Sequence, residues 1–568
     1  MSIKKYYAIA DTTITNAFKD TRFTKFSRAT GSNMGLADSL EVFSIYGQGS
    51  SSAGYSQELS RALVKFPVVT ADDASNSIQA HRTAGLIPAK DSVKFYLRLY
   101  NVEHDKPLPR NAKYNIFAVS SSWEEGRGLD MDEYKDITRN NVGANWISRV
   151  AANSWTKPGG DFHSAEDATN TTIMYSATLE NGTEDIEVDV TTLIEEWIDG
   201  THPDGYTTMA NYGFGVHLTS SHEAYFSSSY PDGTGGQDYP ALSGGILHNL
   251  AGATTSYYTK KFSARGSEYF FKRPTLEARW DSAKKDNRAN FHYSSSLALP
   301  HENINTLYFY NYYRGQLRNI PDPATGNQGP NGKIFVSLFS GSANNTAPDG
   351  ATRENANAAL QLVADGTHVT VTADPTIVTG TWVETGVYKA SFAATGTLTR
   401  MFDVWFVTSS VGQTHYSGIQ VHTGAIDPIT LAGSTTAPGS RKVNSITNLK
   451  DAYSTEETAR FRIFTREKNW NPTIYSRAQA APKTDIIESG SFRIYRIIDD
   501  LSVIPYGTSS ATLHTQMSFD ESGSYFDLDM NMLEPGYAYA IKLAYYNGSI
   551  GTWAEQPETF KFRVEKWV

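Results

Sequence analysis

An alternation of apolar and polar residues runs through the chain, and it constrains the possible folds more than any other feature of the sequence. The clearest runs cover residues 93–99, 537–545 and 560–564, where every second side chain is large and apolar. Because successive side chains of a β-strand point to opposite faces, each run predicts a strand with one buried and one solvated face. Runs with helical periodicity are almost absent. The sequence therefore predicts an all-β protein.

One short helix is predicted, over residues 192–197. Its three apolar side chains have helical spacing, and Thr192 with Glu195 fits a capping box. We expect the helix to end at Gly200, because glycine readily adopts the left-handed conformation that closes helices.

Two segments typical of linkers, residues 319–332 and 432–441, divide the chain. The blocks after each of them have the length of an immunoglobulin-like sandwich, about 100 residues. We therefore predict a jelly-roll β-sandwich over residues 1–280, a bridging or docking segment over 281–330, an Ig-like β-sandwich over 331–432, and an Ig-like or fibronectin-III-like β-sandwich over 442–568.

The composition excludes several classes of function. The chain carries 50 Lys and Arg against 60 Asp and Glu, so it lacks the basic excess that nucleic acid attracts. The sequence contains no cysteine, which excludes disulfide frameworks, iron–sulfur clusters and thiol nucleophiles. No apolar run approaches the ~18 residues of a membrane helix, and the first residues do not resemble a signal peptide. We expect no nucleic-acid partner, no membrane and no export.

The sequence contains no complete catalytic or cofactor-binding motif. The sequence has no nucleophile elbow, phosphate-binding loop or zinc-protease motif. Residues 527–538 begin like a calcium loop, but Met532 and Ala538 stand where glycine and glutamate belong. Asp130, Asp132 and Glu133 form an acidic loop that is either solvated or a calcium site. We expect no enzyme activity, no cofactor and no metal.

A series of short motifs in a fixed order spans about half of the chain. The motifs are Ala10-Asp11-Thr12, Trp123-Glu124-Glu125-Gly126, Trp146, Trp155-Thr156-Lys157-Pro158-Gly159-Gly160-Asp161-Phe162, Asp189-Val190-Thr191, Trp197-Ile198-Asp199-Gly200, Asn211-Tyr212-Gly213-Phe214-Gly215-Val216 and Tyr225-Phe226-Ser227-Ser228-Ser229. This series resembles the DNRLRE family. The resemblance implies a carbohydrate-binding-module-like sandwich of jelly-roll topology, found in bacterial surface proteins and beside polysaccharide-cleaving enzymes.

The tryptophans of this series allow two interpretations. Trp123, Trp146 and Trp155 are either core anchors or an exposed platform on which a sugar stacks. A glycine-rich insertion over residues 232–264 departs from the family pattern, and residues 273–280 resemble the closing strand of the sandwich.

The C-terminal half carries two further resemblances. Residues 533–543 resemble the Leu-x-Pro-Gly-x-x-Tyr stretch of fibronectin type III domains, in which a tyrosine corner ties a turn to the next strand. Residues 386–392 and 402–407 are similar to the last two strands of bacterial and viral Ig-like modules.

One aromatic segment is the candidate binding site. Aromatic residues and arginine, which are enriched at protein interfaces, are concentrated in it. Its members are Tyr308, Phe309, Tyr310, Tyr312, Tyr313 and Arg314. The segment is either an interface element or a strand buried on both faces, and in the predicted division it lies between domains.

Taken together, a cysteine-free chain of jelly-roll and Ig-like sandwiches without an export signal resembles a structural protein of tailed bacteriophages. Residues 286–317 and 459–466 also resemble virion proteins of marine phages. The resemblance implies a virion protein of the capsid decoration, neck, baseplate or tail fibre, made in the cytoplasm of the bacterial host. Its expected partners are other virion proteins and copies of itself.

A carbohydrate-binding adhesin that recognises surface glycans is the alternative, since the first sandwich resembles a carbohydrate-binding module. A polysaccharide-degrading enzyme would require a catalytic domain, and the division above leaves no room for one.

Overall fold

The fold was described from a computed structural model. The structure describes residues 2–19, 27–47, 56–105, 107–129, 143–151, 153–163, 173–200, 209–226, 246–321, 334–340, 359–368, 376–407, 419–429, 441–469, 471, 473–474, 484–509, 513–548 and 551–566. The chain forms two compact units. The N-terminal unit comprises Ser2–Asp281 with Ala511–His514, and the C-terminal unit comprises Ser282–Ser510 with Thr515–Val568.

The N-terminal unit contains fifteen of the described strands and two α-helices. The strands are β1 (Ile3–Tyr7), β2 (Ala10–Thr15), β3 (Phe18–Lys19), β4 (Ser27–Arg28), β5 (Ser39–Gly47), β6 (Ser56–Lys65), β7 (Lys94–Leu99), β8 (Ala112–Ala118), β9 (Ser148–Val150), β10 (Asn153–Ser154), β11 (Tyr175–Leu179), β12 (Ile186–Asp189), β13 (Phe214–Leu218), β14 (Tyr257–Ser263) and β15 (Thr275–Arg279). The helices are α1 (Ile78–Thr83) and α2 (Thr191–Asp199), with a 3₁₀ turn at Phe270–Lys272.

Two antiparallel sheets form a sandwich in this unit. One has the strand order β1-β15-β7-β12, and the other has the order β11-β8-β13-β6-β5-β14, with β2 beside β6. The main apolar core draws on both sheets, with Phe95, Leu97 and Leu276 from the first, and Val64 and Phe214 from the second. The alternation over residues 93–99 thus has the predicted effect, because its apolar side chains are the buried ones.

Helix α2 differs in part from its prediction. It begins at Thr191, after Val190, whose side chain makes no capping bond, so the predicted capping box of Thr192 and Glu195 is wrong. Asp189 instead accepts the Thr191 backbone N–H at 2.9 Å. The predicted end is confirmed, because Gly200 adopts the left-handed conformation at φ +64°.

Helix α1 was not predicted from the sequence. The Ser77 side chain caps it by accepting the N–H of Ala80, and Ile78 is its one fully buried apolar side chain. The predicted closing strand at residues 273–280 is present as β15, which pairs with β1 and β7. The predicted insertion ends in a strand, β14, which pairs with β5.

In the C-terminal unit, seven of the described strands before residue 430 form one sheet. Its strands are β16 (Asn305–Tyr310), β19 (Ile334–Ser340), β20 (Leu362–Val363), β21 (Val378–Glu384), β22 (Val387–Ala394), β23 (Met401–Val407) and β24 (Ile419–Ile426), while β17 (Tyr312–Tyr313) and β18 (Gln316–Leu317) form a separate hairpin. A 3₁₀ turn at Pro300–Glu302 precedes β16. The strand order is β16-β22-β21-β19-β23-β24, with β20 beside β22.

This sheet folds over on itself at strand β21. The first residues of β21 pair with β19, and its last residues pair with β22. The two halves of the sheet enclose a core in which Phe309 of β16 stacks on Trp405 of β23, with ring centroids 5.6 Å apart. Part of the predicted bridging segment therefore belongs to a sandwich, because β16 pairs along its whole length with β22.

The remaining strands form two sheets after residue 441. They are β25 (Lys442–Ile446), β26 (Ala452–Ser454), β27 (Thr458–Glu467), β28 (Gly490–Arg496), β29 (Ser502–Ile504), β30 (Ser518–Asp520), β31 (Gly523–Asp529), β32 (Ala538–Asn547), β33 (Thr552–Glu555) and β34 (Phe560–Glu565), with a 3₁₀ turn at Met530–Met532. One sheet has the order β25-β27-β31-β30, and the other has the order β26-β34-β32-β28-β29, with β33 beside β32. Phe526 of the first sheet stacks on Phe492 of the second at 3.9 Å.

The predicted tyrosine corner is present in this sandwich. The Tyr539 hydroxyl donates a hydrogen bond of 2.8 Å to the backbone carbonyl of Glu534, five residues upstream. Gly536 lies between them with φ +91°, a conformation that favours glycine. The turn is thereby tied to strand β32, as the sequence resemblance implied.

The prediction of an all-β protein built from β-sandwiches is confirmed. Most of the predicted linkers, residues 322–332 and 432–440, lies outside the described residues, and the division into four domains remains a prediction. In the part of the chain that the structure describes, no helix is both long and apolar enough to cross a membrane.

Candidate interaction site

A two-strand hairpin follows β16 directly and carries half of the predicted binding residues. Strands β17 and β18 pair Tyr312 with Leu317 and Tyr313 with Gln316. The two turn residues, Arg314 and Gly315, have φ of +52° and +78°. Positive φ at both turn positions is the geometry of a type I′ hairpin, which matches the twist of its strands.

The base of this hairpin is fixed by hydrogen bonds. The Asn311 backbone N–H donates to the Gly386 carbonyl at 2.8 Å, and the Asn311 side chain donates to the Arg318 carbonyl at 2.7 Å. Asn319 Oδ1 accepts both the Gly386 N–H and Trp382 Nε1–H. The hairpin is therefore held to the sheet at its base while its turn extends beyond it.

Exposed aromatic and arginine side chains cluster at this hairpin. Tyr312 is 64% exposed, Tyr313 is 52% exposed and Trp382 is 38% exposed. The Arg314 and Arg318 guanidinium groups lie 5.3 and 5.6 Å from the centre of the Tyr313 ring. We call these five residues the hairpin patch. Sequence reasoning missed Trp382, because it comes from strand β21 and reaches the hairpin through Asn319, and it missed Arg318, which follows the aromatic run.

The structure separates the six predicted binding residues into three groups. Tyr308 and Phe309 are both buried, Phe309 in the core of the sandwich and Tyr308 on the opposite face of the strand, which agrees with the interpretation of this run as a strand buried on both faces. Tyr310 is half-buried, and its hydroxyl hydrogen-bonds with that of Tyr525. Tyr312, Tyr313 and Arg314 are exposed in the hairpin patch. For these three, the binding role remains a prediction.

A cavity of about 310 Å³ opens beside strand β16. Residues 284–287 pass between β16 and β30, since the Asp286 N–H donates to the Phe519 carbonyl and the Asn287 N–H to the Thr306 carbonyl. This path brings distant parts of the sequence together. The cavity is lined by Asp286, Arg288, Tyr308, Phe309, Tyr310, His422, Gly424, Ala425 and Glu521.

The cavity contains a buried carboxylate. Asp286 is 6% exposed and accepts the backbone N–H groups of Arg288, at 3.1 Å, and Tyr308. Burial raises the pKa of Asp286 to about 7, although the Arg288 charge and these N–H groups oppose the rise. Burial also holds the pKa of His422 below its ordinary value, so this imidazole is neutral at pH 7.

The tryptophans of the N-terminal unit lie in an apolar layer. Trp146 and Trp155 are buried and pack with Leu59 and Leu63 of β6, which face away from the main core. Trp155 Nε1–H donates to the Asn145 carbonyl at 2.8 Å. Trp146 and Trp155 are therefore core anchors in this structure and expose no platform for a sugar.

Trp123 is partly buried against the same layer, and its Nε1–H donates to the Tyr212 carbonyl at 2.7 Å. The bonded indole edge fixes the ring in place. Like its neighbours Trp146 and Trp155, this side chain has a structural role in the loops beside the sheet.

Acidic residues of the ordered motif series also have structural contacts. Asp161 accepts the backbone N–H groups of Thr156 and Lys157, which closes the Pro-Gly-Gly turn. Asp11 accepts the Arg265 N–H, and the Arg265 guanidinium makes a bidentate pair with Glu125. Burial raises the pKa of Asp11 to about 7.

Among the described residues, no group of three or more His, Asp or Glu side chains could hold a metal ion. Asp527 makes a bidentate pair with Arg460 and, like Asp529, lies on strand β31, which ends at Asp529 before the 3₁₀ turn. The acidic loop of Asp130, Asp132 and Glu133 lies outside the described residues.

Comparisons with known proteins gave weak similarities. No family model matches the chain, and no curated protein matches it. Among solved structures, adhesin InvE of Yersinia pseudotuberculosis aligns at 11% identity and a TM-score of 0.13, covering 46% of this chain and 59% of that one. Trypsin-activated alpha-2-macroglobulin of Escherichia coli aligns at 10% identity and a TM-score of 0.13, covering 81% of this chain and 29% of that one.

The native conformation of the Escherichia coli alpha-2-macroglobulin gives a TM-score of 0.12 at 11% identity, covering 84% of this chain and 27% of that one. The chain thus spans less than two thirds of the length of each of these proteins. Scores at this level carry no argument about function.

Proposed function

We propose that this chain is a structural protein of a tailed-bacteriophage virion, which acts through protein–protein interfaces as an adaptor in the capsid decoration, neck, baseplate or fibre. The hairpin patch is the observation that carries the proposal. Tyrosine, tryptophan and arginine are the residue types that dominate the binding energy of protein interfaces, and here five of them share one exposed hairpin and its base.

The way the patch is held also supports an interface. Because Asn311 and Asn319 fix the base of the hairpin, a partner that binds Tyr312 and Tyr313 would order few additional torsions. Rigid aromatic side chains on a fixed backbone lose little conformational entropy on binding. The patch is thus suited to stable association with other virion proteins or with copies of the same chain, which in symmetric particles form rings.

Mutation of the hairpin patch tests the proposal. Particles are purified from the culture that carries the gene, the endogenous protein is removed by gene deletion, and added wild-type protein is measured by co-sedimentation. We expect Tyr312→Ala with Tyr313→Ala to reduce co-sedimentation at least tenfold without changing the melting temperature, because both rings are more than half exposed.

Tyr269→Ala is the matched control, since Tyr269 is 58% exposed in the N-terminal unit. It should co-sediment like the wild type. Absence of wild-type protein from the particle pellet would contradict the proposal, and saturable binding on a glycan array would favour the carbohydrate-binding adhesin instead.

A further inference from the structure

The cavity beside β16 has an excess of negative charge. Arg288 faces it, but both Nη atoms of Arg288 bind the buried Asp403 carboxylate, at 2.5 and 2.7 Å. That pair neutralises itself, so the wall retains the carboxylates of Asp286 and Glu521. His422 adds no charge at pH 7. Lys284 is paired with Glu384, and its ammonium lies 6.0 Å from the centre of the Tyr310 ring.

The cavity also presents aromatic surface. Tyr308 and Tyr310 are two residues apart on β16, and their rings are nearly parallel with centroids 6.4 Å apart. Side chains at this spacing lie on one face of a strand, which is the face opposite Phe309 and the core. Faces of aromatic rings attract cations, and this attraction adds to that of nearby carboxylates.

From this arrangement we propose that the cavity receives the side chain of a lysine or arginine from a partner protein. The buried Asp286 carboxylate forms the floor, Glu521 at the exposed mouth guides the cation, and the tyrosines contact its aliphatic stem. The partner is the neighbouring virion protein of the proposed function. The inference rests on that proposal, because this neighbour supplies the lysine or arginine side chain.

Proton linkage gives the site a characteristic pH dependence. The groups that face Asp286 are Arg288, Asp403, His422, Glu521 and the Tyr310 hydroxyl. In the empty cavity the pKa of Asp286 is about 7, and a bound cation lowers it. Binding therefore releases a proton, and affinity rises by about tenfold between pH 6 and pH 8.

Calorimetric titration of the full chain tests the inference with a lysine side chain on a neutral backbone, N-acetyl-lysine methylamide. We expect saturable binding that strengthens from pH 6 to pH 8, and no binding of the uncharged N-acetyl-norleucine methylamide. Glu521→Gln, at the exposed mouth, should weaken binding severalfold and keep the pH dependence. Asp286→Asn should weaken binding at least tenfold at pH 8 and abolish the pH dependence.

Asp427→Asn is the matched control, because this exposed carboxylate of the same unit pairs with Arg400 and does not line the cavity. It should bind like the wild type. Equal binding of the norleucine compound, binding of methyl glucoside in its place, or no binding to the folded wild type would overturn the inference. Particle association is measured separately by co-sedimentation. If the cavity does not bind the lysine compound, the proposed function still stands. If the chain does not co-sediment with particles, binding of the lysine compound in the titration is still valid.

Discussion

Glu277 shows how a single residue of this protein depends on its neighbours. Its side chain on β15 has no exposed surface, yet Lys5, Arg98 and Arg279 surround it, and Arg279 Nη2 lies 2.6 Å from Oε2. Burial alone would raise the pKa of Glu277, but the three cations outweigh it and hold the pKa at about 2. The carboxylate is thus charged throughout the ordinary pH range.

This arrangement predicts acid sensitivity at one residue. A carboxyl whose pKa is lower in the folded state contributes stability above its unfolded pKa, and that contribution is lost as the pH falls from about 4.5 to about 2. We expect Glu277→Gln to lower the free energy of unfolding by about 3–5 kcal/mol at pH 7, because it removes the buried negative charge among three cations, of which Arg98 and Arg279 retain Glu187. Urea unfolding should show a smaller difference in the free energy of unfolding between wild type and variant at pH 3 than at pH 7.

Glu268→Gln is the control for this experiment, since Glu268 is exposed in the same unit. It should unfold like the wild type at both pH values. If Glu277→Gln lowers the free energy of unfolding by the same amount at pH 7 and pH 3, the cluster of charges around Glu277 is not the cause of the loss.

At the scale of the element, the tyrosine corner can be tested by removing one oxygen atom. Tyr539→Phe keeps the buried ring but removes the hydrogen bond to the Glu534 carbonyl. We expect a loss of about 1 kcal/mol in the free energy of unfolding of the C-terminal unit, the usual value for one such bond. Tyr546→Phe, at an exposed position of the same strand, should have no effect. Equal losses for both variants would contradict the role of the corner.

Helix α2 offers a packing test. Trp197 is buried, and its ring lies edge-on to Phe214 at 5.2 Å. We expect Trp197→Ala to destabilise the N-terminal unit by about 3–5 kcal/mol, because a cavity would form in the main core. Trp197→Phe should cost much less, since it retains most of the apolar volume. Thermal unfolding followed by circular dichroism measures both, and an unchanged transition for Trp197→Ala would contradict the packing described here.

The elements also show how far sequence reasoning reaches. Strands β7, β32 and β34 were predictable, because alternation is a local signal that each strand carries by itself. The place of β16 was not, since its pairing partner β22 lies more than 70 residues further on and the linker-like segment between them suggested a boundary. Helix α1 is too short to show a helical period.

The candidate site was predictable only in part for a similar reason. The aromatic composition of the hairpin is visible in the sequence, but exposure distinguishes Tyr312 from Tyr308 only after folding. The cavity combines residues near positions 286, 308, 422 and 521, and strand order decides that they meet. No local pattern carries that information.

At the scale of the whole molecule, both units are built from sandwiches with extensive buried cores. Cores of this size provide stability without cysteine, which the sequence lacks. The described surface includes the hairpin patch, which we propose contacts other virion proteins, and the acidic cavity beside β16, which we propose receives a partner's cationic side chain.

The most direct measurement of the central claim is an electron cryomicroscopy map of the particle. Our account predicts density for this chain in the particle, with Tyr312, Tyr313 and Trp382 covered by a neighbouring subunit. A map in which the chain is absent, or in which it is present with the hairpin patch facing solvent on every copy, would contradict the account.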